Sequence, residues 1–284
     1  MNETKLFKRT AISVNMLWIF IFVLVPNLMV VVISLVERDA VSFFRWVPTL
    51  ANYRDLFDPI IVKVFINSLE YSTVTTVLTL VIGYPFAWFL SRVRTHRRSL
   101  LLMMVIVPFW TSSLIRTYAL VILMKANGVI NSTLIALGLV KGPVSILYTD
   151  IAVYVGLVYS LLPFMILPLY AVLEKLDYGL IEAAHDLGAS NFQTFTGVVL
   201  PLSLPGLMAG CIMVFLPSMG LFYIPDLLGG AKSMLVGNFI KNQFLTAGNW
   251  PFGSAASVFL IVIMFIMIGI YMAVMKRLNS SVIP

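Results

Sequence analysis

Between two long apolar stretches the chain reads Glu182-Ala183-Ala184-His185-Asp186-Leu187-Gly188 and, after nine intervening residues, Val198-Val199-Leu200-Pro201. Glu182, Ala183 and Ala184 are strong helix formers. Gly188 can take the left-handed conformation that ends a helix. The pattern predicts a short helix with a small alanine face and two carboxylates, Glu182 and Asp186, closed at Gly188, and a second helix restarting at Val198–Pro201. Its position matters as much as its composition. It connects Ile151–Leu173 to Val198–Ile224, two charge-free stretches long enough to cross about 30 Å of hydrocarbon.

Working outward, four more stretches meet the same length: Ala11–Val36, Tyr71–Ser91, Ser99–Met124 and Ser254–Met275. Only the third carries a charge, Arg116. Sixty per cent of the 284 residues are hydrophobic and 11% charged, against about 25% charged in a soluble domain. Such a surface faces lipid. The expected architecture is an all-α integral membrane bundle of six transmembrane helices, forming a single domain over residues 1–284. The run after Ala11 is too long for a signal peptide and lacks a small-x-small cleavage site.

Net charge is +7, which in a soluble protein would suggest nucleic acid. Here the basic residues fall in short clusters between spans, where they orient a membrane protein, so no nucleic-acid partner is expected. With the N-terminus inside, the inner segments hold Lys5, Lys8, Arg9, Arg92, Arg94, Arg97, Arg98, Lys175, Lys276 and Arg277. The outer ones hold Arg38, Arg45, Arg54, Lys63, Lys125, Lys141, Lys232 and Lys241. The inner segments are much shorter, and the Arg92–Arg98 cluster decides the bias. Both termini are expected to be cytoplasmic, as is the 174–197 segment. Ile130–Val140, in an outer connection, reads as a short interfacial amphipathic piece. Gly206 and Gly210 form a small-xxx-small pair, read as packing within the chain rather than as a dimer interface.

The Glu182–Pro201 pattern resembles the EAA loop of ABC importer permeases, with Val198 in place of the usual isoleucine. Gly83-Tyr84-Pro85-Phe86-Ala87-Trp88, Val107-Pro108-Phe109-Trp110-Thr111 and Leu227-Leu228-Gly229-Gly230 are similar to the spermidine/putrescine permeases of that group, and the similarity runs over almost the whole chain. The resemblance implies a type I importer permease (MetI-like) fold in a bacterial inner membrane. It also implies that Glu182, Ala183, Ala184, Asp186, Gly188, Val198, Leu200 and Pro201 form the docking segment for an ATPase. The implied partners are a second permease subunit, two copies of the ATPase, an extracytoplasmic polyamine-binding protein and the lipid bilayer. Polyamine is the substrate class the resemblance implies.

The residues also say what the chain lacks. Gly229-Gly230-Ala231-Lys232-Ser233 is not a Walker A loop, because an alanine separates glycine from lysine. His96 and His185 are far apart and support neither a zinc site nor a triad. No catalytic residue, metal or cofactor is expected. For a polyamine the candidate path residues are Phe222, Tyr223 and Asp226, which about 37 Å of helix from Pro201 carries to the outer boundary, with Glu70 and Lys241. Carboxylates and aromatic faces are what a desolvated ammonium needs. An aromatic belt with a Pro-Asp turn accounts for the same residues structurally. For Glu70 and Arg116, snorkelling or a mutual ion pair is the expectation. The rival readings are an importer permease for another small substrate and an ion-coupled secondary transporter. The latter predicts mid-membrane acids, absent from the last three spans.

Overall fold

The computed structural model describes residues 12–39, 43–230 and 233–282, with residue 95 and the last six described by backbone only. Lys5, Lys8, Arg9, Ala11 and Lys232, and the side chain of Arg277, lie outside the described residues. The chain is mostly helical. Six stretches are long and apolar enough to cross a membrane: Ile12–Ser34, Pro59–Arg92, Ser113–Ala136, Asp150–Leu173, Asn191–Gly220 and Trp250–Lys276. The chain divides into two compact units.

The first unit comprises residues 1–63 and 239–265. It starts with α1 (Ile12–Ser34), whose most apolar window is nowhere buried within the chain. After α1 the chain turns into an antiparallel hairpin, β1 (Val36–Asp39) with β2 (Phe43–Pro48), pairing Glu37 with Arg45 and Arg38 with Phe44. The hairpin is tied down by α2 (Ala51–Asp55). The buried Asn52 amide donates to the carbonyls of Ser34 (3.0 Å) and Val36 (2.9 Å). Phe43 stacks on Trp250 at 5.0 Å.

The second unit comprises residues 64–238 and 266–284. It contains most of α3 (Pro59–Arg92), then α4 (Thr95–Ile106), α5 (Ser113–Met124), α6 (Val129–Ala136), α7 (Asp150–Leu173), α8 (Tyr178–Asp186) and α9 (Asn191–Gly220). The helices α10 (Val236–Leu245) and α11 (Trp250–Val282) run from one unit into the other. Helix α3 begins twelve residues before Tyr71, because Asp58 caps it through the Ile60 amide (2.8 Å) and Pro59 is preset for a first turn.

The expected third span is not one helix. A 3₁₀ turn over Val107–Trp110 and extended backbone at Thr111 and Ser112 separate α4 from α5. Pro108 removes a donor, and the Thr111 hydroxyl takes the Pro108 carbonyl at 2.7 Å, so local bonds replace helical ones.

At the centre of this unit α7 packs on α9. A Cβ on Gly206 would lie 2.7 Å from the Pro168 carbonyl oxygen, and one on Gly210 would lie 2.8 Å from Met165 Sδ. The small pair therefore serves close packing within the chain. Leu157, Met165 and Leu169 are fully buried there. Tyr84 of α3 shares a 2.8 Å hydrogen bond with Ser203 of α9. One turn into α9 there is a π-turn: the Leu200 amide bonds the Phe195 carbonyl five residues back, immediately before Pro201. The same device precedes Pro26 in α1, where Val25 bonds Phe20. A widened turn makes room for the carbonyl that a proline ring would otherwise strike.

Candidate functional site

Residues 177–201 form a helix–turn–helix built almost wholly from local chemistry. Asp177 caps α8 by accepting the Gly179 amide at 3.0 Å. At the other end the Gly188 amide reaches the His185 carbonyl (2.9 Å) and Ala189 reaches Ala184 (3.0 Å), with Gly188 at φ +84°. This pair of hydrogen bonds is the glycine-terminated helix end anticipated from the sequence. Ser190 and Gln193 then form a reciprocal capping box (2.8 and 3.3 Å) that starts α9 at Asn191. The second helix thus begins seven residues earlier than Val198, because a Ser-x-x-Gln box outranks the apolar run as a start signal.

Ile181 is buried in the core, whereas Glu182, Ala183, Asp186 and Gly188 are exposed and Ala184 is half-buried. Leu187 is 89% exposed and Phe192 75%. An apolar pair flanking two carboxylates is an unsatisfied surface. Val198, Leu200 and Pro201 are half-buried within α9, and Leu200 packs on the core beside the buried Val199. They anchor the segment rather than project from it. Beneath it, the Arg92 guanidinium stacks on Trp88 and Tyr178, each 3.9 Å from carbon to ring centroid. Arg98 pairs with Glu174 and donates to the Tyr170 hydroxyl at 3.3 Å. Tyr170 first, and Glu174 with it, push the Arg98 pKa above its usual value.

At the opposite end of the unit, α9 stops at Gly220 and a π-turn follows over Pro225–Gly229. Asn238 holds this corner: its amide donates to the Phe222 carbonyl (2.7 Å) and to the Asp226 carboxylate. Phe222 and Asp226 are exposed and Tyr223 is half-buried, with the two rings edge to face at 6.0 Å. These three of the expected path residues are brought together. Glu70 is exposed on α3. Lys241 lies half-buried on α10, within the other unit.

Near Glu70 the structure adds a carboxylate that the sequence reading missed. Asp150, the first residue of α7, accepts from the Tyr71 hydroxyl and from Ser233 Oγ (2.9 Å), and Tyr71 stacks on Tyr154 at 4.8 Å. The available signal was an acid directly after Thr149, whose hydroxyl caps α7.

Arg116 does not pair with Glu70. Its guanidinium lies 4.5 Å from the Phe109 ring and 5.9 Å from Tyr159, in an apolar cavity of about 510 Å³. Its Nε and Nη1 are buried there without a hydrogen-bond partner. Among the described residues there is no cluster of three or more His, Cys, Asp or Glu side chains that could hold a metal ion.

Residues 80–283 match the family model described as binding-protein-dependent transport system inner membrane component. The chain is 49% identical over 276 residues to the spermidine/putrescine transport system permease protein PotB of Haemophilus influenzae, covering 97% of this chain and 96% of that one. It is 49% identical over 265 residues to the PotB protein of Escherichia coli K12, covering 93% of this chain and 96% of that one. The fold is similar to chains of a bacterial ABC transporter that imports the acidic polysaccharide alginate: TM-score 0.75 at 18% identity, covering 98% of this chain and 99% of that one. A second structure of an alginate transporter, in complex with a pentasaccharide-bound periplasmic protein, gives 0.80 at 15% identity, covering 97% and 96%.

Proposed function

We propose, from the premise that this chain belongs to the family of binding-protein-dependent transport system inner membrane components, that it forms half of the translocation path of an ATP-driven polyamine importer. The fold is that of a type I ABC importer permease, and the chain is a permease subunit of the inner membrane. The substrate class, spermidine and putrescine, is supported by near-full-length identity of 49% with PotB proteins. The chain acts as one transmembrane permease domain and is not itself catalytic. ATP hydrolysis belongs to two copies of a PotA-like ATPase, the other half of the path to a PotC-like permease, and delivery to a PotD-like binding protein.

The observation carrying the coupling role is the exposed surface of α8, where Glu182, Ala183, Ala184, Asp186 and Gly188 sit beside Leu187 and Phe192. A small-residue helix rimmed by carboxylates and apolar side chains suits a groove with basic walls. Val198, Leu200 and Pro201 carry the resulting push into α9. On the far side of this unit Phe222, Tyr223, Asp226 and Glu70 line the outer path, and Asp150 joins them; Lys241, in the other unit, is a separate candidate for it. A polyamine offers ammonium groups on an apolar chain, and these carboxylates and rings match it.

The reading is tested in proteoliposomes containing the purified complex, with radiolabelled spermidine, putrescine, an anion and a neutral sugar as substrates. Uptake of the two polyamines alone, dependent on both ATP and the binding protein, is the expected result. Uptake without ATP under an ion gradient would instead establish a secondary transporter.

A further inference from the structure

A cavity of about 260 Å³ lies beneath the coupling segment, walled by Trp88, Arg92, Ile181, His185, Asn191 and Thr194. Three features of its chemistry point the same way. Arg92 is fixed by the rings of Trp88 and Tyr178, at 3.9 Å each, and has no carboxylate partner among the described residues. Stacking uses the flat faces of a guanidinium and leaves its N–H edge available to an anion. Thr194 is only 3% exposed, yet its hydroxyl has no hydrogen-bond partner. A buried polar group without a partner is costly, and a ligand oxygen would satisfy it. Finally, Asn191 opens α9, so the positive end of a 30-residue helix stands at the wall.

Position narrows the ligand. Arg92 is the last residue of α3, at the end of a stretch long and apolar enough to cross a membrane. Arg94 and Arg97 follow, and Arg98 is the one basic residue of the cluster neutralised by an ion pair. Basic pockets among spanning helices at the cytoplasmic surface suit anionic headgroups. We infer that this cavity binds the phosphate group of an anionic phospholipid, with Arg92 as its cation and Thr194 and Asn191 as neutral hydrogen-bond donors. His185 forms part of the wall, its Nδ1 facing the Ala189 carbonyl at 3.1 Å. Because α8 and α9 both contribute to the wall, bound lipid holds the coupling segment against the end of α3. The cytoplasmic placement rests on the permease reading; the phosphate chemistry does not.

The test uses the intact purified complex in nanodiscs of phosphatidylcholine alone and with added phosphatidylglycerol, read by thermal midpoint and by native mass spectrometry of retained lipid. Wild type should be stabilised by phosphatidylglycerol and retain it. Arg92→Gln and Thr194→Val should each retain about tenfold less, as for one lost charge-assisted or buried hydrogen bond. Thr194→Val keeps the shape of the side chain, so its failure to retain lipid is not a folding failure. Equal retention by wild type and both variants overturns the assignment, as does equal stabilisation by the two lipids. A separate arm adds inorganic phosphate to phosphatidylcholine nanodiscs. Full protection by millimolar phosphate there would overturn the lipid as the source and leave a soluble phosphate in its place. Polyamine uptake by the same complexes reports independently on the permease reading.

Discussion

Arg92, the last residue of α3, lies 3.9 Å over the ring of Tyr178, the first residue of α8. A spanning helix and the coupling helix are thereby clamped end to end by one cation–π contact. Such a contact contributes about 0.5–1 kcal/mol at an exposed site. Tyr178→Ala should therefore raise amide exchange across 178–186 by roughly two- to fivefold in the assembled complex, while Tyr178→Phe should leave it unchanged. The ring matters here and the hydroxyl does not. Equal exchange in all three proteins would mean that the clamp contributes nothing to the ordering of α8.

Gly188 offers a second test, and its reason is backbone conformation rather than crowding. A Cβ there would meet nothing within 4 Å, but the φ of +84° disfavours any L side chain. Gly188→Ala should cost about 1–2 kcal/mol at the helix end, and Gly188→Asn, which tolerates that region, should cost less. Gly188→Asp adds a third carboxylate beside Glu182 and Asp186 and should impair docking most. Ala184→Arg should do the same by bulk. ATPase retained on the affinity-purified permease is the measurement, in the order wild type, Asn, Ala, Asp. Indifference to all three changes would place Gly188 outside the docking surface.

The helix over Tyr178–Asp186 and its glycine end were legible in the sequence because their signals are local. Alanines favour a helix, glycine ends one, and each acts within four residues of itself. The missed start at Asn191 was equally local, in Ser190 and Gln193, but the apolar run from Val198 masked it. The hairpin β1–β2 was not legible. Asn52, sixteen residues from Val36, holds it in place, and no periodicity reports such a bond. Asp150 escaped for the same reason: its partners Tyr71 and Ser233 are 79 and 83 residues away. Arg116 shows the converse. Its charge was plain, but its packing on Phe109 depends on the break at Thr111–Ser112, which hydropathy alone reads as one continuous span.

Orientation is tested by single-cysteine labelling in a Cys211→Ser background, since Cys211 is the only native thiol. Ser233 is an unsuitable outer reporter because it is 5% exposed and bonded to Asp150. Leu139, 67% exposed in the connection between α6 and α7, is suitable. In intact spheroplasts Leu139→Cys should react with an impermeant maleimide and Arg97→Cys should not. Lysis should expose the second site. The reverse pattern would invert the topology and move the coupling segment to the wrong face for an ATPase.

Asp226 and Asp150 are both exposed carboxylates; the Asn238 amide donates to the first, and Tyr71 and Ser233 donate to the second. Tyr71 and Ser233 fix the Asp150 carboxylate without cancelling its charge, which is the arrangement a cation path requires. Asp226→Asn and Asp150→Asn should each lower polyamine uptake with assembly intact. A charge-assisted contact is worth about 1.5–3 kcal/mol when desolvated, or roughly ten- to a hundredfold in an equilibrium. Because both groups are exposed, screening moves the expected loss toward the lower end. Phe222→Ala and Tyr223→Ala should act in the same direction through lost cation–π contact. Asn238→Ala separates positioning from contact: it keeps the Asp226 charge but frees its geometry, so uptake should fall less than in Asp226→Asn. The measurements are labelled spermidine uptake in cells and ATP hydrolysis by the purified complex stimulated by its binding protein. Normal uptake in all of these variants at normal expression would remove both carboxylates from the path, leaving Phe222 and Tyr223 as an aromatic belt and Asp150 as a first-turn acid of α7.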